Sequence, residues 1–129
     1  MLETGATEEV DSTARCRVVM DPATSAAVAA AAVAKGDVLA AARIAAVQSA
    51  KRTADLLPAS FRTAPSAVEV TFQVGEGWID VSVRVVDLGR QAQMEAMTAC
   101  TVAGLTIYDM CKAMDRAMAI TDVVMSGPA

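Results

Sequence analysis

Alternation of apolar and polar side chains marks two strands before any other feature appears. In SAVEVTFQV (66–74), Val68, Val70, Phe72 and Val74 fall on one side, with Glu69, Thr71 and Gln73 on the other. That is the period of a half-buried strand. WIDVSVRVVD (78–87) alternates in the same way, and Gly75-Glu76-Gly77 between the two supplies a tight turn, so a β-hairpin is predicted. RCRVVM (15–20) reads as an earlier strand on its β-branched content, and AITDVVM (119–125) as a short last one.

The remaining segments read as helical. Asp21-Pro22 offers an N-cap and a proline at the first helical position, opening an Ala-rich helix to about Ala34. Lys35-Gly36-Asp37 breaks it, and Asp37 can cap VLAAARIAAVQSAKRTADLL (38–57). Pro58 and Pro65 bracket a loop, and a long helix is expected from about Gln91 to Met118. Residues 1–14 lack periodicity and are expected to form a flexible arm before a single domain, 15–129. The order β–α–α–β–β–α–β, with the two middle helices as one connection, predicts an α+β, ferredoxin-like (split β-α-β) fold: an antiparallel sheet with helices on one face.

Composition narrows the function. The chain has 129 residues, 54% of them hydrophobic but only 3% aromatic, so Ala, Val, Leu, Ile and Met must build the core. An apolar excess of this kind favours burial against another copy. The net charge of −4, with no basic run longer than Lys51-Arg52, argues against nucleic acid, whose binding rests on phosphate neutralisation. The longest apolar run, Ala26–Ala34, is nine residues, far short of the roughly 20 that span a bilayer. The N-terminus MLETGATEEVD is acidic and polar, so no secretory signal is expected in it. There is no histidine and no C-x-x-C among Cys16, Cys100 and Cys111, which argues against a metal site. On one helix Cys100 and Cys111 would stand about 16 Å apart, too far for a disulfide. A reduced, cytoplasmic protein is expected.

The candidate chemistry lies in GLTIYDMCKAM (104–114), where Asp109 and Lys112 sit three apart on one helix face. Alone, such a pair is an ordinary surface ion pair. Its setting changes that reading. KGDVLAAARIAAVQSAKRTADLLP (35–58), MEAMTA (94–99) and VAGLTIYDMCKAM (102–114) resemble, in order and spacing, the blocks of the cyclic pyranopterin monophosphate synthases of molybdenum cofactor biosynthesis. The resemblance implies a ferredoxin-like homohexamer, a trimer of dimers with sites at subunit interfaces. It implies a lyase that rearranges 3′,8-cyclo-7,8-dihydroguanosine triphosphate to cyclic pyranopterin monophosphate and pyrophosphate, without a metal or redox cofactor. It further implies catalytic roles for Asp109 and Lys112 and substrate contacts from Met94 and Glu95. Lys35, at the head of a helix whose N–H groups favour anions, fits a phosphate or acid–base role in catalysis. Arg43, Lys51 and Arg52 are further basic candidates for the triphosphate.

Departures fall on the same motifs. Where the family has LCHP this chain has Ala59, Ser60, Phe61 and Arg62, so the motif histidine is Phe61. A phenyl ring can stack but cannot carry a proton, while Arg62 can contribute a cation. A glutamate of the family is Gln93, a Gly-rich stretch is reduced to DLGRQAQ (87–93), and a Gly-rich tail is expected to be missing after SGPA. Two functions stay open on these residues. One is a divergent working synthase; the other is a catalytically degenerate paralogue serving as a nucleotide-binding or structural partner subunit.

Overall fold

The computed structural model describes residues 8–60 and 64–126. Strand β1 (Glu9–Val19) leads into α1 (Pro22–Ala29), α2 (Val38–Lys51) and a single turn, α3 (Thr53–Leu56). The hairpin β2 (Ala67–Gly75) and β3 (Trp78–Leu88) follows, then the long helix α4 (Gln93–Cys111) and β4 (Ala119–Ser126). The sheet order is β2-β3-β1-β4 with every neighbouring pair antiparallel. This is the ferredoxin-like arrangement the alternation predicted.

The hydrophobic period decides which face is covered. Ala14, Cys16 and Val18 of β1 and Ile79, Val81, Val83 and Val85 of β3 are buried on the helix-covered face, where α4 packs on both strands and α2 packs on α4 and β2. The helices present mostly alanine to them: Ala42, Ala46 and Ala50 from α2, and Ala96, Ala99 and Ala103 from α4, are almost wholly buried. Small side chains let the helices sit close to the sheet and to each other. At Gly104 the approach is tightest, since a Cβ there would lie 3.3 Å from Ile120 Cγ2 and 3.4 Å from Cys16 Sγ.

The opposite face is polar. Arg17 makes a two-point ion pair with Asp80 (2.7 and 3.0 Å) and stacks on Trp78, while Arg84 bridges Asp11 and Glu69. An apolar second sheet face is therefore not what would drive association. Half of the large exposed apolar side chains among the described residues are on helices: Ile44, Leu56, Met94 and Leu105.

Four boundaries differ from the sequence expectation. Half of the expected arm is strand: Glu9–Ala14 pair along β3, and Ser12 is buried because its hydroxyl accepts the Ala92 N–H at 2.9 Å. Residues 1–7 lie outside the described part. Helix α1 ends at Ala29 instead of Ala34, and Ala31 takes a left-handed backbone, φ 54°. The run 38–57 is interrupted at Arg52, which separates α2 from α3. Helix α4 stops at Cys111 rather than Met118, because the chain turns there to bury Asp115. One Asp115 oxygen accepts from Asp21 N–H (2.7 Å) and the Thr24 hydroxyl (2.9 Å), and the other from Ala117 N–H (3.1 Å). In the hairpin, Gly77 holds φ 89° and its N–H reaches Ser25 Oγ at 2.9 Å, a geometry that favours glycine.

Candidate active site

Helix α4 carries one candidate cluster at each end. At its C-terminal end Lys112 Nζ lies 2.9 Å from Asp109 Oδ1. Helices leave their last four carbonyls without intrahelical partners, and the Asp109 carbonyl is one of these. Lys35 fills the gap, its Nζ donating to Asp109 O at 3.2 Å across 74 positions of sequence. The placement of Lys35 has a local cause. Gly36 adopts φ 122°, and Asp37 caps α2 by accepting the Ala40 N–H at 3.0 Å, so Lys35 leaves the chain just before the helix. Two ammonium groups thus meet one carboxylate and the negative pole of α4. The hydrogen bond from Lys112, reinforced by its charge and that of Lys35, holds the Asp109 carboxyl below the usual range, and Asp109 raises Lys112 in return. The pair is open to solvent, with side-chain exposures of 55% for Lys112 and 60% for Asp109. Beside it Tyr108, Lys112, Ala113 and Arg116 line a shallow depression of about 370 Å³.

The N-terminal end is buried. Glu95, in the first turn of α4, is 2% exposed, and its Oε2 lies 3.3 Å from Arg90 Nη1. The same guanidinium reaches Asp87 Oδ2 at 2.6 Å. Asp87 is also buried, and its other oxygen accepts the Leu88 N–H at 2.8 Å and the Ser66 hydroxyl at 3.3 Å. Glu95 Oε1 is buried with no hydrogen-bond partner among the described residues. Glu95 lines a cavity of about 240 Å³ with Met94, Gln93, Gln91, Leu57, Ala59 and Ser60.

The sequence-predicted residues divide accordingly. Lys35, Asp109 and Lys112 come together, and Met94 joins Glu95 at the cavity. Arg43 belongs to neither cluster: it donates to Val70 O at 2.7 Å and stacks over Phe72, tying α2 to strand β2. Lys51 and Arg52 are exposed at the end of α2. Phe61 and Arg62 lie outside the described residues. Reading the sequence missed Arg90 and Asp87. Their signal was faint: an Asp at the end of a strand and an Arg three positions on, in the following turn, ordinarily mean a solvated pair. Among the described residues no group of three or more His, Cys, Asp or Glu is placed to hold a metal ion, and no helix is long and apolar enough to cross a membrane.

Sheet order, hairpin and the helices on one face define an α+β protein of the ferredoxin-like class. The MoaC family model matches residues 3–127, and the chain belongs to that family. It is 48% identical over 110 residues to "Cyclic pyranopterin monophosphate synthase 1" of Mycobacterium tuberculosis (strain ATCC 25618 / H37Rv), covering 84% of this chain and 65% of that protein. With the "Cyclic pyranopterin monophosphate synthase" of Heliobacterium modesticaldum it shares 43% identity over 116 residues, 88% of this chain and 73% of the relative. "Cyclic pyranopterin monophosphate synthase 3" of Mycobacterium bovis is 45% identical over 108 residues, 82% and 61% of the two chains. The chain thus spans just under two thirds of the length of its mycobacterial relatives.

Proposed function

We propose that the protein acts in molybdenum cofactor biosynthesis as a cyclic pyranopterin monophosphate synthase, a cytoplasmic lyase. Its substrate would be 3′,8-cyclo-7,8-dihydroguanosine triphosphate, rearranged to cyclic pyranopterin monophosphate with loss of pyrophosphate. The observation that carries this reading is the convergence of Lys35 on Asp109 and Lys112, at 3.2 and 2.9 Å. In this reading the two ammonium groups bind the triphosphate and stabilise the pyrophosphate as it leaves. Asp109, kept ionised by its two lysines, accepts a proton during ring opening. Met94 and Glu95 hold the nitrogen heterocycle. No resident metal or redox cofactor enters the reaction. Incubating the purified protein with the cyclic dihydroguanosine triphosphate, and following pyranopterin and pyrophosphate, tests it.

A specific observation favours the second reading. The chain contains no histidine, and Phe61 stands where the resemblance places one. A paralogue that binds the nucleotide without turning it over, or serves as a partner subunit, fits that loss. Tight binding of the cyclic triphosphate with no pyrophosphate release would select it.

Either reading includes a homohexamer, a trimer of dimers. Glu95 and Asp109 are 14 positions apart, about 21 Å along α4 at helical rise. One copy therefore does not bring both ends to one small ligand, and a second copy would. Sedimentation showing a stable monomer at micromolar concentration would remove the assembly from the proposal.

A further inference from the structure

Among the described residues, the cavity at the N-terminal end of α4 has a buried acceptor in its lining and no free cation. Its buried carboxylate, Glu95, keeps Oε1 without a hydrogen-bond partner, while Oε2 is held by Arg90. Arg90 is itself anchored by Asp87 at 2.6 Å. The three charges sum to −1. A buried acceptor left open costs free energy unless a ligand closes it, and a net negative cluster repels phosphate. What suits the cavity is the N–H and NH₂ edge of a neutral heterocycle.

We propose that Asp87 and Arg90 form a positioning clamp that fixes Glu95 to read the N–H/NH₂ edge of a guanine-type ring. This deepens the synthase reading and rests on it for the identity of the natural substrate. Arg90 does not touch the ligand in this scheme. It binds one oxygen of Glu95, so that the other is held in one orientation. The cavity's volume, about 240 Å³, is the scale of a ring rather than of a triphosphate.

The test compares guanosine 5′-triphosphate with inosine 5′-triphosphate, which lacks the exocyclic amine, by calorimetric titration of the full chain. The parent protein should favour the guanosine form by at least about tenfold, the scale of one hydrogen bond to a charged group. Glu95→Gln should reduce that preference to about threefold or less, since it removes the charge and keeps the shape. Arg90→Gln should reduce it similarly, and Arg90→Lys should restore most of it. If Arg90→Gln does not fold, Glu95→Gln and Arg90→Lys still decide. Equal affinity of the parent for both nucleotides overturns the proposal. So does a loss in Arg90→Gln that is the same for both, which marks a merely structural role. Failure of the synthase reading is a separate result: no pyrophosphate release, with the base preference and its dependence on Arg90 intact.

Discussion

The two ends of α4 hold the same kinds of side chain and use them in opposite ways. At the C-terminal end one carboxylate stands between two lysines, all in solvent, beside the exposed carbonyls of the helix. At the N-terminal end one arginine stands between two carboxylates, both carboxylates buried. The first has surplus positive charge and costs the fold little; the second has surplus negative charge and depends on every partner being present. The difference teaches that a ligand-binding charge can be stored cheaply where water screens it. A buried charge instead needs neighbours committed to holding it. In the proposed reading the same contrast would sort the substrate, anion to one end and heterocycle to the other.

The largest effect that could break this comparison is on turnover. If the C-terminal end does the chemistry, Lys112→Ala and Asp109→Ala should each lower kcat by roughly 10²–10⁴-fold, the usual scale for losing a positioned acid–base or electrostatic group. Steady-state pyrophosphate release measures it. Unchanged rates in both variants would leave the exposed cluster as a helix cap and move the chemistry elsewhere.

The next effect is on stability and belongs to the other end. Arg90→Met removes the counter-charge shared by Asp87 and Glu95, and should destabilise the fold by about 3–5 kcal/mol, as breaking buried ion pairs does. Urea unfolding checks it. A loss no greater than for a surface substitution would mean that the two carboxylates are not held in the way the distances of 2.6 and 3.3 Å imply.

These two clusters were not equally legible in the sequence. Asp109 and Lys112 could be singled out because TIYDMCKA is a long, unusual string that sets them one turn apart on a helix, and Lys35 because it heads a helix in a block that precedes that string in the family order. Arg90 and Asp87 carry no such string, and only the fold turns the loop after β3 inward over Glu95. The strands β2 and β3 followed from strict alternation. The start of β1 was hidden because Ser12 and Asp11 look alike on a polarity scale, although one is buried against Ala92 and the other pairs with Arg84 in solvent. Arg43 shows the reverse error: a basic residue suited to phosphate is spent on a strand carbonyl. The end of α4 was misjudged because its stop is a tertiary event, the burial of Asp115, which no local residue pattern announces.

Asp115 sharpens the comparison from inside the C-terminal end. It shows what a carboxylate there looks like when it is structural: 7% exposed, with both oxygens hydrogen-bonded. The backbone N–H of Asp21, helped by Thr24 and Ala117, holds its carboxyl below the usual value of 3.8 against the opposing pull of burial. Asp115→Ala should cost about 2–3 kcal/mol at neutral pH. The sign with pH follows from the depressed value. The stabilisation is fully present above 3.8 and is lost as pH falls through the lower value of the folded state. The parent should therefore lose melting temperature below about pH 4 more steeply than Asp115→Asn does. Parallel acid limbs would show that Asp115 is not the titrating anchor.

The smallest expected effect is the most discriminating. Asp109→Asn removes a carboxylate whose neighbours Lys35 and Lys112 are themselves exposed, and whose carbonyl hydrogen bond from Lys35 survives the change. An ion pair in water gains little, because screening and side-chain entropy offset most of the Coulomb attraction. The melting temperature of this variant should match the parent's within error at 150 mM salt, and should stay matched from low to high salt. The same substitution should sharply reduce turnover. A residue that matters to the reaction and not to the fold is the signature of a site, whereas Arg90 must show both losses because, from the loop before α4, it holds two buried carboxylates. A clear drop in melting temperature for Asp109→Asn, without loss of pyrophosphate release, would make the exposed trio a structural cap and leave the buried end as the better candidate for the chemistry.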